Sequence, residues 1–233
     1  MVIVISSGRS GTNLALEIIS ASPYIVASDP EEDKYVMHRS TYYPDNLLTK
    51  TDTHYIVDKD GLTGYEVFVK FMRSNTTTKL IWTIRHPYDW AMSKIYRGWG
   101  GADDATFNGC LEDMRWCYSL FNVATTEFKD RVCVVKMEDI LSDIKTQAEK
   151  MCSFLELPFE ESMLYPWKRM RNPNKKERYP DKLYKNQIDM YLDWKTLYDG
   201  FFVTKVDFSM EDLFYQLDPL LNSYDYKDKR VSA

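Results

Sequence analysis

Met1-Val2-Ile3-Val4-Ile5-Ser6-Ser7-Gly8-Arg9-Ser10-Gly11-Thr12-Asn13-Leu14-Ala15-Leu16-Glu17-Ile18-Ile19 changes character twice. An apolar, β-branched run suits a buried strand, a polar stretch with two glycines suits a tight turn, and from Leu14 the apolar residues return at helical spacing. The glycines let the turn's N–H groups point inward, and the helix behind adds its unsatisfied amides and positive dipole end at the same place. Gly8, Arg9, Ser10, Gly11, Thr12 and Asn13 are therefore expected to form an anion cradle.

What the cradle holds is narrowed by the residues after Gly11. A nucleoside-triphosphate loop places Gly-Lys-Ser/Thr there, the lysine to reach the terminal phosphates and the hydroxyl to hold magnesium. Here Gly11 is followed by Thr12-Asn13. The loop's cation is Arg9, whose planar fork suits two oxygens of one anionic group. The residues describe a phosphate loop that does without a metal-bound triphosphate.

Ser7-Gly8-Arg9-Ser10-Gly11-Thr12 resembles the 5′-phosphosulfate loop of sulfotransferases that use 3′-phosphoadenosine 5′-phosphosulfate (PAPS), in the Arg-Ser-Gly-Thr form of carbohydrate and tyrosyl-protein sulfotransferases. Lys79-Leu80-Ile81-Trp82-Thr83-Ile84-Arg85-His86-Pro87-Tyr88-Asp89-Trp90-Ala91-Met92-Ser93 is similar to the same family's 3′-phosphate motif: a strand ending in Arg, then Pro, then a helix carrying Ser eight residues after the Arg. Val132-Cys133-Val134-Val135-Lys136-Met137-Glu138-Asp139-Ile140 resembles a later strand and its Glu-Asp-Leu helix entry. Together the three cover residues 1 to 157. The resemblance implies an α/β fold of three layers around a parallel sheet, like the P-loop nucleotide kinases. It also implies PAPS as donor, adenosine 3′,5′-bisphosphate as product, no metal, and a 3′-phosphate held by Arg85 and Ser93.

Other segments are placed by the same logic. A first helix is expected from Thr12 to Ala21, and Tyr24-Ile25-Val26-Ala27 reads as a short strand leading to Asp29-Pro30-Glu31-Glu32-Asp33. Asp29 falls near the place where the resembling enzymes carry a catalytic glutamate. It is the first candidate for general base, with Glu31 and Glu32 as alternates, while a solvated acidic turn stays open. His38 and His54 stand alone, without the partner pattern of a catalytic imidazole. Tyr65 to Met72 reads as a central strand ending near Lys70, from where Lys70 could reach the sulfonate or bridging oxygen, while a solvated lysine at a strand tip stays open. In cytosolic sulfotransferases the comparable strand ends Lys-Thr-His, and Met72 would occupy the histidine's place, returning the base role to the carboxylates.

Leu80 to Ile84 is apolar on both faces, as in the middle of a parallel sheet, with a helix from Pro87 to about Arg97 behind it. A long helix follows from Phe107 to Phe128, its core stripe running through Leu111, Met114, Trp116, Cys117, Leu120, Phe121 and Ala124. Then come a strand from Arg131 to Met137 and a helix from Asp139 to Leu155. Strands alternating with helices give a parallel α/β sheet. Lys168 to Lys185 is a basic stretch that lacks the family's late Arg-Lys-Gly signature; attraction of an anionic acceptor and a solvated loop are its two open readings. Helices from Leu183 to Tyr198 and Met210 to Leu221 and a polar tail from Tyr224 to Ala233 complete the expectation. It amounts to one domain over 1–233, with a donor-binding core (1–157) and a helical C-terminal part (158–233).

Composition excludes some classes. With 233 residues, 44% of them hydrophobic, the chain can bury one substantial core. A net charge of −5 argues against a general nucleic-acid binder. No stretch approaches the roughly 18 apolar residues of a membrane span, and the chain enters a strand at once, so the expected location is cytoplasmic. Cys110, Cys117, Cys133 and Cys152 show no Cys-x-x-Cys spacing and read as buried thiols. The expected acceptor is a hydroxyl of a carbohydrate, a small molecule or tyrosine. The competing readings are a P-loop nucleotide kinase and a non-catalytic nucleotide-binding protein on the same fold.

Overall fold

Five parallel strands form the sheet, in the order β2-β3-β1-β4-β5. They are β1 (Val2–Ser6), β2 (Val26–Ala27), β3 (Leu47–Asp52), β4 (Lys79–Ile84) and β5 (Val132–Lys136). The helices are α1 (Thr12–Ile19), α2 (Gly64–Ser74), α3 (Phe107–Glu127), α4 (Met137–Ser142), α5 (Ile144–Leu155) and α6 (Met210–Ser223). This computed structural model describes residues 1–6, 10–27, 47–52, 64–90, 107–166 and 210–226. The labels number the described elements.

The central strands are buried on both faces, and their side chains alternate between two cores. Ile3, Ile5, Leu80, Trp82 and Ile84 pack with Val67, Phe68, Phe71 and Met72 of α2, with Leu120 and Phe121 of α3, and with Leu217 and Leu221 of α6. Val2, Val4, Ile81, Cys133 and Val135 face the other way, against Leu14, Ile18 and Ile19 of α1 and Met151 and Leu155 of α5. Helices on both sides of a parallel sheet make the expected three layers. Trp82, fully buried, anchors the first core, with Phe68 and Phe121 edge-on to it at 6.2 and 5.6 Å. Such pairs each add about 0.5–1.5 kcal/mol beyond area burial.

Four expectations change. Tyr65 to Met72 is helix α2 and not a strand. Its β-branched and aromatic residues favour a strand locally, but its exposed positions include Glu66, Lys70 and Arg73, which is helical spacing, and the rest of the turn packs on the sheet. The strand beside β1 is instead β3, in a segment without clean periodicity, fixed by its parallel register Val2↔Leu48 through Ser6↔Asp52. The helix expected from Asp139 to Leu155 is broken at Asp143. That residue caps α5 by accepting from the Thr146 N–H at 3.1 Å and the Thr146 hydroxyl at 2.6 Å. Finally, the tail begins with packed residues: Tyr224 is buried, and the Tyr226 hydroxyl donates to Glu138 Oε2 at 2.6 Å.

The remaining described elements follow the sequence closely. Helix α1 stops at Ile19, two residues short of expectation, α3 and α6 fall where they were placed, and Cys117, Cys133 and Cys152 are buried thiols. The expected helix over Leu183 to Tyr198 and the side chains of Cys110 and Leu111 lie outside the described residues. None of the described helices is long and apolar enough to cross a membrane.

Candidate active site

Because all strands run the same way, their carboxyl ends share one edge. The chain leaves β1 toward β2 and β3 on one side and returns to β4 on the other, so the crevice of this open sheet lies at the end of β1. The turn after β1 and Arg85 after β4 therefore meet on adjacent strands.

The described end of the turn, from Ser10 onward, is closely held. Gly11 is the N-cap of α1, with φ 88° and ψ 11°, a left-handed conformation that glycine adopts without penalty. A Cβ there would stand 3.2 Å from Met137 Cγ, so the start of α4 presses against the loop and any side chain at this position would need Met137 to give way. The Gly11 carbonyl takes the first helical bond, from the Ala15 N–H at 3.0 Å. Thr12 opens the helix, and its hydroxyl hydrogen-bonds to that of Ser6, the last residue of β1. Ser10 is buried at 2% exposure. The N-terminal amides of α1 are thus aimed at the crevice together with the Ser10, Thr12 and Asn13 side-chain positions.

Arg85 directly follows β4 and is 4% exposed. It lines a narrow cleft with Ser10, Thr83, Trp90, Met114, Cys117 and Tyr224. The Thr83 hydroxyl oxygen there is buried and has no hydrogen-bond partner among the described residues. A buried guanidinium, a helix N-terminus and a spare hydroxyl at one place suit phosphate-type oxygens. After Arg85, residues 87–90 turn helical, and the Trp90 N–H donates to the His86 carbonyl at 2.9 Å.

His86 is buried between two tyrosines, its ring 4.9 Å from that of Tyr88 and 5.1 Å from that of Tyr226. Its backbone N–H donates to Glu138 Oε1 at 2.9 Å. Its Nδ1 accepts from the Tyr88 N–H at 3.3 Å, so a neutral ring carries its proton on Nε2. Burial, and then the neighbouring Glu138 carboxylate, push the Tyr226 phenol far above its ordinary range, which keeps it a donor.

The structure thus brings together Ser10, Gly11, Thr12, Asn13 and Arg85. It separates Lys70 from them: Lys70 is on the exposed side of α2, in the half of that helix leading to the amino end of β4, and not at a strand end. The comparison that put Met72 in a histidine's place falls with the strand it assumed. Gly8, Arg9, Asp29, Glu31, Glu32 and Ser93 lie outside the described residues, as do His38, His54 and the Lys168 to Lys185 stretch.

One position at this edge was not singled out from the sequence. Asp52 closes β3 in register with Ser6, one strand from the cradle, and its strand ends Lys50-Thr51-Asp52. A lysine-threonine pair thus stands at this strand end, with an aspartate after it. That tripeptide was the readable signal, hidden because Leu47 and Leu48 are the only apolar residues of the strand.

A family model described as "Sulfotransferase domain" matches residues 1–195. Solved structures with the same fold include the sulfotransferase STF9 from Mycobacterium avium, 10% identical over 97% of this chain and 77% of that one, with a TM-score of 0.56. The sulfotransferase domain of the Synechococcus PCC 7002 olefin synthase is 16% identical over 76% of this chain and 82% of that one, with a TM-score of 0.55. The sulfotransferase domain from the curacin biosynthetic pathway is 14% identical over 71% and 77%, with a TM-score of 0.53. A search of curated proteins finds no match. At these identities the structures speak for the fold, and the family model speaks for the lineage: the loop, the Arg85 strand and the strand entering Glu138 all lie inside its match, and the chain belongs to the sulfotransferase domain family.

Proposed function

We propose that this protein transfers the sulfonate group of PAPS to the hydroxyl of an acceptor, a carbohydrate or small molecule by preference and tyrosine as an alternative, by in-line displacement. The observation that carries the reading is the meeting of the Ser10–Asn13 cradle with buried Arg85 on adjacent strands. The cradle, with Gly8 and Arg9, holds the 5′-phosphosulfate, and Arg85 with Ser93 holds the 3′-phosphate. Two anionic ends held by separate fixed donors lock the nucleotide in place and leave the terminal sulfonate at its 5′ end aimed at the acceptor.

The acceptor oxygen forms its bond to sulfur as the bond from sulfur to the bridging phosphate oxygen breaks. A carboxylate takes the hydroxyl proton, worth about 10²- to 10⁴-fold in rate. Asp29 is the first candidate, with Glu31 and Glu32 as alternates, and Asp52 joins them because β3 ends it beside the cradle. Arg9 and the loop amides stabilise the charge that collects on the departing phosphate, a contribution of about 3 kcal/mol for one well-placed donor. With that charge met by fixed cations and amides, magnesium has no role in this reading.

The test is sulfonate transfer from labelled PAPS to a panel of sugar, phenol and alcohol acceptors, in the parent protein and in Asp29→Asn and Asp52→Asn. Labelled product on at least one acceptor, stoichiometric adenosine 3′,5′-bisphosphate, and a loss of about 10²-fold or more in one variant are expected. Phosphate transfer from ATP and magnesium, with none from PAPS, would overturn the proposal.

A further inference from the structure

The loop that carries Arg85 is tied down by a part of the chain beyond the family match. That match ends at residue 195, whereas α6 and the residues after it make three separate bonds around the β4 loop and β5. The Tyr226 hydroxyl donates to Glu138 Oε2 at 2.6 Å, and the other oxygen of that carboxylate accepts the His86 N–H at 2.9 Å. The Tyr88 hydroxyl donates to Asp218 Oδ1 at 2.6 Å. Lys136 donates to the Asp225 carbonyl at 2.6 Å, with its ammonium 4.6 Å from the centre of the Tyr226 ring. Tyr226 also packs edge-on against the His86 ring.

We infer that Tyr226 and Glu138 are positioning residues for the 3′-phosphate end of the donor pocket: together they fix the His86 peptide, and so the adjoining Arg85, against the C-terminal segment. The inference rests on the sulfonate-donor reading above. Glu138 is the hinge pin of the arrangement. Its carboxylate satisfies a backbone N–H that precedes a helical turn, and it can do so in one orientation only while its second oxygen is held by the phenol. Burial keeps that phenol protonated, so the bond persists across the working pH range. Releasing it frees the carboxylate to rotate, the His86 peptide to follow, and the guanidinium next along the chain to lose its aim. The described residues of the 5′ cradle, held by β1, α1 and Met137, have no bond to Tyr226 and keep their geometry.

That asymmetry supplies the test. Dissociation constants for adenosine 3′,5′-bisphosphate and adenosine 5′-phosphate are measured by calorimetry on the full chain, for the parent, Tyr226→Phe, Glu138→Gln and Glu138→Ala. Tyr226→Phe keeps the ring packing and removes one oxygen. It should lower the preference for the 3′-phosphate by about five- to tenfold, the size of one hydrogen bond, with 5′-phosphate binding unchanged. Glu138→Ala should do the same, and Glu138→Gln, which retains an acceptor for the His86 N–H, should recover part of the preference. If Glu138→Ala fails to fold, Tyr226→Phe decides alone. A parent that prefers the bisphosphate while Tyr226→Phe keeps the same preference, or loses both ligands in equal proportion, overturns the positioning role and leaves the donor reading intact. A parent with no preference removes the donor reading, and this inference with it.

Discussion

Gly11→Ala is a substitution whose sign is diagnostic. At a position with ordinary helical angles, replacing glycine by alanine stabilises a protein by about 0.4–1 kcal/mol, because the unfolded chain loses freedom. Gly11 has φ 88°, where an L-residue pays about 1–2 kcal/mol. The new methyl would also stand 3.2 Å from Met137 Cγ and 3.3 Å from Met137 Cβ, closer than a side chain held by the start of α4 concedes without moving. The expected result is a loss of about 1–2 kcal/mol or more, read as a drop in Tm of roughly 2–8 °C for a chain of this size. Urea and thermal unfolding followed by circular dichroism measure it. A double-mutant cycle with Met137→Ala isolates the contact: the cost of Gly11→Ala should fall by about 0.5 kcal/mol or more when the facing side chain is gone. An alanine variant as stable as the parent, or more so, would refute the left-handed cradle, and an absent coupling would refute its closure by Met137.

Two further outcomes follow from the core and from a helix cap. Phe68→Ala removes a fully buried ring that meets both Trp82 and Phe128 edge-on, and should cost about 3–5 kcal/mol in denaturant unfolding; a loss under about 1 kcal/mol would mean that α2 does not pack as described. The Thr146 hydroxyl, and then its N–H, hold the exposed Asp143 carboxylate below the usual carboxylate range. Since folding lowers this value, the contribution is complete above the unfolded-state value of about 3.9 and is lost as pH falls through the folded one. Asp143→Ala should therefore lower Tm near neutral pH and shrink the parent's further loss below pH of about 4, and parallel melting curves across that range check it.

Much of the carboxyl edge was readable because its signals are local. Val2 to Ile5, Gly11 and the apolar spacing from Leu14 each specify their own conformation, and the Leu80 to Ile84 run and the Arg85-His86-Pro87 break do likewise. What could not be read depends on partners far along the chain. The strand β3 has two apolar residues followed by Thr49-Lys50-Thr51-Asp52, and it is a strand because β1 and β2 pair with its two edges. In α2, Val67, Phe68 and Val69 carry strand propensity, which tertiary packing overrides. The exposed spacing of Glu66, Lys70 and Arg73 was visible all along and outranked it. Tyr224 and Tyr226 look like a polar tail until partners far back in the chain give them something to pack on: Phe121 for Tyr224, and Glu138 and His86 for Tyr226. In each case the local pattern was correct about propensity and silent about the neighbour that decides.

The measurement closest to the central claim is calorimetric titration of the parent and Arg85→Ala with adenosine 3′,5′-bisphosphate, adenosine 5′-phosphate and ATP. Binding of the bisphosphate that needs its 3′-phosphate, and that falls by about tenfold or more in Arg85→Ala as a charge-assisted contact is lost, is the predicted result. Equal or tighter binding of ATP, or bisphosphate binding that Arg85→Ala leaves unchanged, would contradict it.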